Sequence, residues 1–436
     1  MKTIRLLVFI SLFLLFNIPL SYSQWTQLNS GTTNNLFSVF FINKDTGYVV
    51  GSAGTILKTT DGGENWEEKN SGISNWLSQI FFMDENNGII VGEKGTILKT
   101  IDGGENWEMQ NSGTIINLNS VYFTSLNSGV AVGSKGTILR TTDGGVNWIR
   151  LPSISLYNDT TYELYSVRFS SENIGYAAGG RWLVNPNAMI IKTIDGGGSW
   201  NIIYQNDSYE PLTICSLFPI NDNRVWALGY GYPNTYGPRL IYTNDAGANI
   251  TLIGWPPFWY YPNSFADGIY FPNINTGYMA GYDSIVVTTD GGISWQQQYA
   301  GVSGHLDAIF FVNDFVGYSV GDGGIIIKTN NGGGILSIDE PVKGDNIVII
   351  PNPSDGRFVL KAVDNETFLK DLQITVFNCL GESFIPKTLT IQSENQIIVN
   401  MPVLRSGIYL MKLESYFAHA ASNIPCFKKL IISKEN

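Results

Sequence analysis

"TTDGGENW" occupies Thr59–Trp66, and it recurs along most of the chain. "TIDGGENW" ends at Trp107, "TTDGGVNW" at Trp148, "TIDGGGSW" at Trp200, "TNDAGANI" at Ile250 and "TTDGGISW" at Trp295; a worn copy, "TNNGGGI", ends at Ile335. Successive copies lie 41, 41, 52, 50, 45 and 40 residues apart. A period in the forties with β-rich runs between the turns predicts a propeller of four-stranded blades. Around the first copy, "LFSVFFI" (Leu36–Ile42), "YVVG" (Tyr48–Gly51), "TILKTT" (Thr55–Thr60) and "WEEKN" (Trp66–Asn70) read as strands A to D, from the channel outward. Val, Ile, Phe and Tyr suit pleated, half-buried surfaces, while Gly, Asn and Asp punctuate them.

Seven A-B-C sets are present, with A strands near Leu36, Leu77, Leu118, Leu164, Leu212, Phe265 and Leu306. Only six D strands follow them internally, so blade seven lacks its outer strand. "WTQLN" (Trp25–Asn29) is spare at the N-terminus and is expected to fill that edge, which would otherwise stay unpaired. The expected fold is all-β: a seven-bladed propeller over residues 24–334, closed by its N-terminal strand.

The repeated turn fits Ser/Thr-x-Asp-x-Gly-x-x-Trp, the Asp box. Its Asp accepts hydrogen bonds from turn amides, its Gly residues permit positive φ, and its Trp covers the outer packing. Asp61, Asp102, Asp143, Asp195, Asp245 and Asp290 are therefore read as structural rather than as calcium ligands or catalytic groups. By these boxes and "GYVVGSAGTILKTTDGGENW", residues 24–334 resemble the propellers of the photosystem II stability/assembly-factor family, related to an Asp-box group that includes sialidases, xyloglucan-degrading hydrolases and sortilin. The resemblance tracks the blade and not a photosystem partner. It implies a protein-binding or scaffolding propeller without chemistry.

The two ends carry addresses. Lys2 and Arg5 precede an apolar run, Leu6–Phe16, and Ser21-Tyr22-Ser23 offers small residues at the two positions a signal peptidase reads. Residues 1–23 are read as a signal peptide cut before Gln24. No later run reaches the ~18 apolar residues of a membrane helix, so no transmembrane span is expected. The net charge of −11 argues against nucleic acid, whose phosphates demand a basic face. Cys215 stands alone and reads as a small buried hydrophobe. Cys379 and Cys426 share the C-terminal region, and whether they pair stays open. Two histidines, His305 and His419, cannot build a His-cluster metal site, and neither metal nor cofactor is expected.

Residues 335–345 read as a linker and 346–436 as a small immunoglobulin-like β-sandwich of seven strands, the fourth spanning Ser383–Thr390. "PNPSDGRF" (Pro351–Phe358), "VFNCLGE" (Val376–Glu382) and "LRSGIYLMKL" (Leu404–Leu413), closed by "KKLIIS", arrive in the order of the type A C-terminal sorting domain of the type IX (Por) secretion system, which this segment resembles. The residues carrying that resemblance are Pro351, Asn352, Pro353, Gly381, Gly407, Tyr409 and Lys429. Two departures stand out: Ile350 replaces an aromatic residue before Pro-Asn-Pro, and the final hairpin is long. The resemblance implies export by the type IX machinery, then release or attachment at the outer cell surface.

The insertions are placed by the same bookkeeping. From the Gly ending strand B to the box Asp, Gly51 to Asp61 is 10 residues, whereas Gly179–Asp195 and Gly229–Asp245 are each 16. From the box to the centre of the next A strand, Trp25–Val39 is 14, whereas Trp148–Val167 and Ile250–Ile269 are each 19. Every sizeable insertion falls on the face bearing the D–A crossovers and B–C loops, in blades four to six. They supply Arg181, Trp182, Tyr232, Tyr236, Arg239, Trp255, Phe258, Trp259, Tyr260 and Tyr261. Loops on a rigid scaffold commonly carry binding, and Tyr and Trp bring large contact area at small entropic cost. The rings either wall a groove for an unknown protein or polysaccharide partner, or pack on one another beneath the long loops.

A glycoside hydrolase is the rival class. It needs two carboxylates roughly 5–10 Å apart. The best pair is Asp267 and Asp307, equivalent positions in adjacent A strands that otherwise read as a solvated channel rim. The Arg-Ile-Pro phrase of sialidases is missing. The reading is a non-enzymatic, exported binding propeller.

Overall fold

The computed structural model describes residues 25–152, 162–181, 187–206, 212–231, 238–253, 266–333, 347–350, 357–362, 372–377, 383–393, 396–401, 407–415 and 426–432. The chain divides into two compact units, Met1–Gly334 and Ile335–Asn436.

The first unit holds seven four-stranded antiparallel sheets. Blade one runs A Leu36–Phe41, B Gly47–Gly51, C Ile56–Thr59 and D Glu67–Lys69. Each D strand begins one residue later than the box tryptophan, because that side chain packs back over the turn. In blade seven, Leu306–Phe311, Gly317–Gly321 and Ile326–Thr329 are completed by Thr26–Leu28, with Thr26 opposite Lys328 and Leu28 opposite Ile326. The expected closing strand is therefore in place, and it pairs an edge that would otherwise present open amides and carbonyls.

The core lies between blades. Tyr48, Val50 and Ile56 of blade one bury themselves with Leu77, Ile80, Phe82 and Ile90 of blade two. Leu36, Val39, Phe41, Val49 and Leu57 do the same with Tyr318, Val320 and Ile326 of blade seven. Full burial of one such side chain stabilises by ~1.5–3 kcal/mol, so each interface is cemented many times over. Polar ties reinforce the seams: Tyr318 Oη donates to Gly62 O at 2.8 Å and Tyr48 Oη to Gly103 O at 2.6 Å, joining each blade to its neighbour's box.

The second unit contains two four-stranded sheets. One orders Ile347–Ile350, Arg357–Ala362, Gln396–Asn400 and Thr388–Ser393; the other orders Ser383–Phe384, Leu372–Phe377, Gly407–Ser415 and Cys426–Ile432. The single strand expected over Ser383–Thr390 is in fact two, and they belong to different sheets. Pro386 lies at the break, where it has no N–H to donate to either ladder. Cys379 lies outside the described residues, and with it the question of pairing to Cys426.

Candidate binding face and central channel

Strand register defines the two faces of the ring. Leu36, at the start of strand A, stands opposite Gly51, at the end of strand B. The same holds for Leu164 with Gly179 and Ile214 with Gly229. D–A crossovers and B–C loops therefore emerge together. In blades one, two, three and seven the B–C connection is one tight turn, such as Ser52–Gly54 with Ala53 at φ 55°. A Cβ on Gly54 would meet Ile73 O at 2.0 Å, so this turn lies flat on the next crossover and leaves no loop above it.

Blades four and five depart from this. Strand B continues to Gly180 and to Gly231, and strand C resumes at Ala188 and Pro238. Trp182, Tyr232, Tyr236, Trp255, Phe258, Trp259, Tyr260 and Tyr261 lie outside the described residues. Their anchors are described. The Arg181 guanidinium carbon sits 4.8 Å from the centre of the Tyr162 ring, Thr213 Oγ1 donates to Arg181 O at 2.5 Å, and Gln205 Nε2 donates to Tyr162 Oη at 3.2 Å. Arg239 pairs across the ladder with Gly229. The same face also carries an exposed ring that sequence reasoning passed over: Trp76 is 59% exposed and lies 5.6 Å from Phe37.

The seven A strands enclose a cavity of about 450 Å³. Its floor is a girdle with one residue per blade: Phe40, Phe81, Tyr122, Arg168, Phe218, Tyr270 and Phe310. Neighbouring rings pack at 5.4 Å (Phe40–Phe81), 5.0 Å (Phe81–Tyr122), 5.0 Å (Phe218–Tyr270), 5.2 Å (Tyr270–Phe310) and 5.3 Å (Phe310–Phe40). Arg168 fills the remaining place. Burial pushes its guanidinium below the ordinary value, partly offset by Tyr122 and Tyr270. Toward the mouth lies a hydroxyl tier: Ser38, Ser120 and Ser166 accept hydrogen bonds from the amides of Ile80, Val167 and Leu217 in the next blade.

Asp307 lines this cavity. His305 Nδ1 stands 3.4 Å from its Oδ1, while Oδ2 finds no partner among the described residues. Burial raises its carboxyl above the ordinary range; His305 opposes the shift and Asp322 adds to it. Asp267 belongs to the strand Ala266–Tyr270, and its side chain lies outside the described residues. Cys215 is half-buried: it packs against the core cluster around Trp226, Leu228 and Leu240, donates its Sγ–H to Leu228 O at 3.1 Å, and also borders the same cavity.

The Asp boxes occupy the opposite face. Thr59 Oγ1 donates to Asp61 Oδ1 at 2.8 Å and accepts from Gly63 N at 2.9 Å; Asn65 donates its backbone N–H to Oδ1 and its Nδ2 to Oδ2. The hydrogen bonds from Asn65 hold the Asp61 carboxyl down to about 2. Asp102, Asp143 and Asp195 repeat the arrangement at about 2, and Asp245 and Asp290 are lowered too. Both oxygens of each carboxylate are thus taken up by their own turn. Among the described residues, no three His, Cys, Asp or Glu side chains are grouped to hold a metal.

Of the sorting-signal residues, Pro351, Asn352, Pro353 and Gly381 lie outside the described set. Gly407, Tyr409 and Lys429 occupy the final strand pair, Gly407 opposite Ile432 and Tyr409 opposite Leu430.

Residues 19–108 and 112–217 match the family model of the photosynthesis system II assembly factor YCF48, and residues 348–433 match that of the secretion system C-terminal sorting domain. The chain is thus similar to an assembly-factor propeller over the first two of these stretches and to a secretion sorting domain over the last. Among solved structures, YCF48 bound to D1 peptide is 21% identical with a TM-score of 0.56, covering 71% of this chain and 98% of that one. YCF48 from Cyanidioschyzon merolae is 21% identical with a TM-score of 0.57, covering 71% and 99%. The GH74 enzyme of Niastella koreensis is 12% identical with a TM-score of 0.52, covering 93% and 74%. At these identities the likeness is one of fold. No curated protein sequence matches the chain. The sorting domain indicates type IX secretion of this propeller, and no helix among the described residues is long and apolar enough to cross a membrane.

Proposed function

We propose that this protein is a non-catalytic recognition propeller, displayed outside the cell, that binds a protein or polysaccharide through an aromatic face on blades four to six. Residues 1–23 act as a signal peptide, 24–334 form the propeller, 335–345 link, and 346–436 are the sorting domain. One observation carries the reading. The described strand ends that flank the elongated, aromatic-rich connections lie on the face where A strands start and B strands end. Aromatic anchors stiffened by Pro256, Pro257 and Pro262 lose little freedom on binding. A protein of the same fold was solved with a peptide bound, which supports a macromolecular partner.

Replacing Trp255, Trp259 and Tyr260 together by Ala should abolish capture of the partner retrieved from glycan arrays or envelope extracts. Each hot-spot aromatic is worth ~2 kcal/mol. The circular dichroism spectrum and melting point should be preserved. Unfolding of that variant would mean the rings form a local core and no groove. The hydrolase alternative has its own readout: release of reducing sugar by the parent, lost in Asp267→Asn/Asp307→Asn, would replace the binding reading with an enzymatic one.

A further inference from the structure

The channel carries two groups of opposite sign that the fold satisfies only in part: the Arg168 guanidinium, and Asp307, whose Oδ1 faces His305 while its Oδ2 has no partner among the described residues. In the girdle, six of the seven blades supply a Phe or Tyr, and only blade four supplies a cation, Arg168. A seventh ring would close the girdle at no electrostatic cost. Instead, a guanidinium is set deep among aromatic side chains, and among the described residues it has neither a hydrogen bond nor an ion pair. The side chain is partly withdrawn from water, which costs part of its hydration, and an anionic group in the channel would restore it. Three blades away, Asp307 lines the same cavity with an unpartnered Oδ2. The two do not pair with each other, because Asp307 sits nearer the mouth than the girdle position of its own strand, Phe310.

We propose that the central channel binds a small zwitterion of amino-acid size, its carboxylate on Arg168, its ammonium on Asp307 and its apolar side chain against the aromatic girdle. The guanidinium fork matches a carboxylate in two parallel hydrogen bonds. Ser120 and Ser166 strengthen that end. Their oxygens already accept backbone amides, so their hydroxyl protons remain to be donated into the cavity. A simple anion would satisfy Arg168 and be repelled by Asp307, and a simple amine would meet the reverse. A dipolar molecule relieves both. The volume, about 450 Å³, lies within the range of small-molecule sites. This site does not depend on the macromolecular partner proposed above, and the aromatic loop variant should retain it.

The test is calorimetric titration of the full chain with L-phenylalanine, 3-phenylpropionate and phenethylamine, which share one ring and differ in the charged ends. Phenylalanine should bind, and the two half-molecules should bind about tenfold or more weakly. Arg168→Met should remove binding of both carboxylates. Asp307→Asn should weaken phenylalanine and strengthen phenylpropionate, so that the two affinities converge. Arg168→Phe installs the residue type of the other blades, so it should fold with an unliganded melting point at or above the parent's and bind neither phenylalanine nor phenylpropionate. Equal affinity for all three compounds, no heat with any of them at millimolar concentration, or phenylalanine binding that survives Arg168→Phe would overturn the assignment. Failure of both Arg168 variants to fold would equally overturn it, by showing that the guanidinium serves the girdle itself.

Discussion

Replacing Trp25 by Ala should cost far more than replacing any other box-position tryptophan that keeps only packing. Trp25 belongs to the strand that closes the ring and is 1% exposed. Its ring meets Phe311 edge-on at 5.9 Å and 87°, and its Nε1 donates to Gln298 Oε1 at 3.0 Å across 273 positions of sequence. Loss of a buried tryptophan costs about 4 kcal/mol in cavity and transfer energy. The stranded Gln298 oxygen adds about 1 kcal/mol, since that side chain is itself buried. Trp66 provides the contrast. It makes the equivalent edge contact, with Phe41 at 6.1 Å, but is half-buried, and its Nε1 has no partner among the described residues. Trp66→Ala should cost about 2 kcal/mol on the same reasoning.

Urea denaturation followed by far-ultraviolet circular dichroism separates the two. With a slope of about 3 kcal/mol/M, the midpoint should fall by about 1.5 M for Trp25→Ala and by about 0.7 M for Trp66→Ala. If the two variants shift alike, the long-range hydrogen bond and the ring closure contribute nothing beyond ordinary packing, and Trp25 is one box tryptophan among equals.

Acid should loosen the ring through its boxes. Asp61, Asp102, Asp143 and Asp195 sit at about 2 in the folded state, below the ordinary value of 3.8, so the unfolded chain binds more protons and their contribution, present above about pH 4, is lost as pH falls toward 2; a melting point that is flat from pH 5 to 2 would contradict this. Gly92→Ala should destabilise by about 3 kcal/mol or more, because its Cβ would lie 2.1 Å from the Trp76 carbonyl oxygen and the backbone must move; wild-type yield and melting point would refute the close approach. Deleting residues 335–436 should leave a folded propeller in the periplasm of a type IX-competent cell, and fusing that segment to a signal-bearing passenger should carry the passenger outside. Unchanged secretion of the truncated chain would remove the sorting role.

The architecture was legible because its signals are local. A Thr-x-Asp-x-Gly turn specifies its own hydrogen bonds within five residues, and counting strands then shows that one is missing and where its substitute lies. The channel lining was not legible, although its residues were in plain view. Every A strand is irregular at the same place, between Leu36 and Ser38 in blade one and between Leu306 and Ala308 in blade seven. Such a bulge breaks the alternation that tells one strand face from the other. Phe37 and Ser38 consequently both line the channel, as do Asp307 and Ala308. Beyond the bulge, Arg168 looks like one more polar residue in a strand until the seven copies are aligned on it. The aromatic loops are harder still, since a ring that binds and a ring that packs have the same composition.

The two worn copies show that the repeated turn is two separable devices, a polar clamp and an apolar lid. Blade five keeps the clamp whole: Thr243 Oγ1 donates to Asp245 Oδ1 at 2.8 Å, and Asn249 engages both Asp245 oxygens. Its lid is gone, with Ile250 in the tryptophan position and Pro219 where the other A strands place the Phe it would touch. Losing one member of that pair would leave a hole. Both have changed, and Ile203, Tyr242 and Ile250 close the space to about 10 Å³. Blade seven does the converse. Asn331 replaces the Asp, so the clamp carries no charge, yet Thr329 Oγ1 still donates to the Asn331 side chain and accepts from Gly333 N. Its lid is intact but comes from the far end of the chain, as Trp25. A blade can therefore lose the charge or lose the ring and keep its turn, provided the threonine hydroxyl remains to bridge the two sides. That hydroxyl, present in all seven copies, holds the turn, and the aspartate and tryptophan are reinforcements around it.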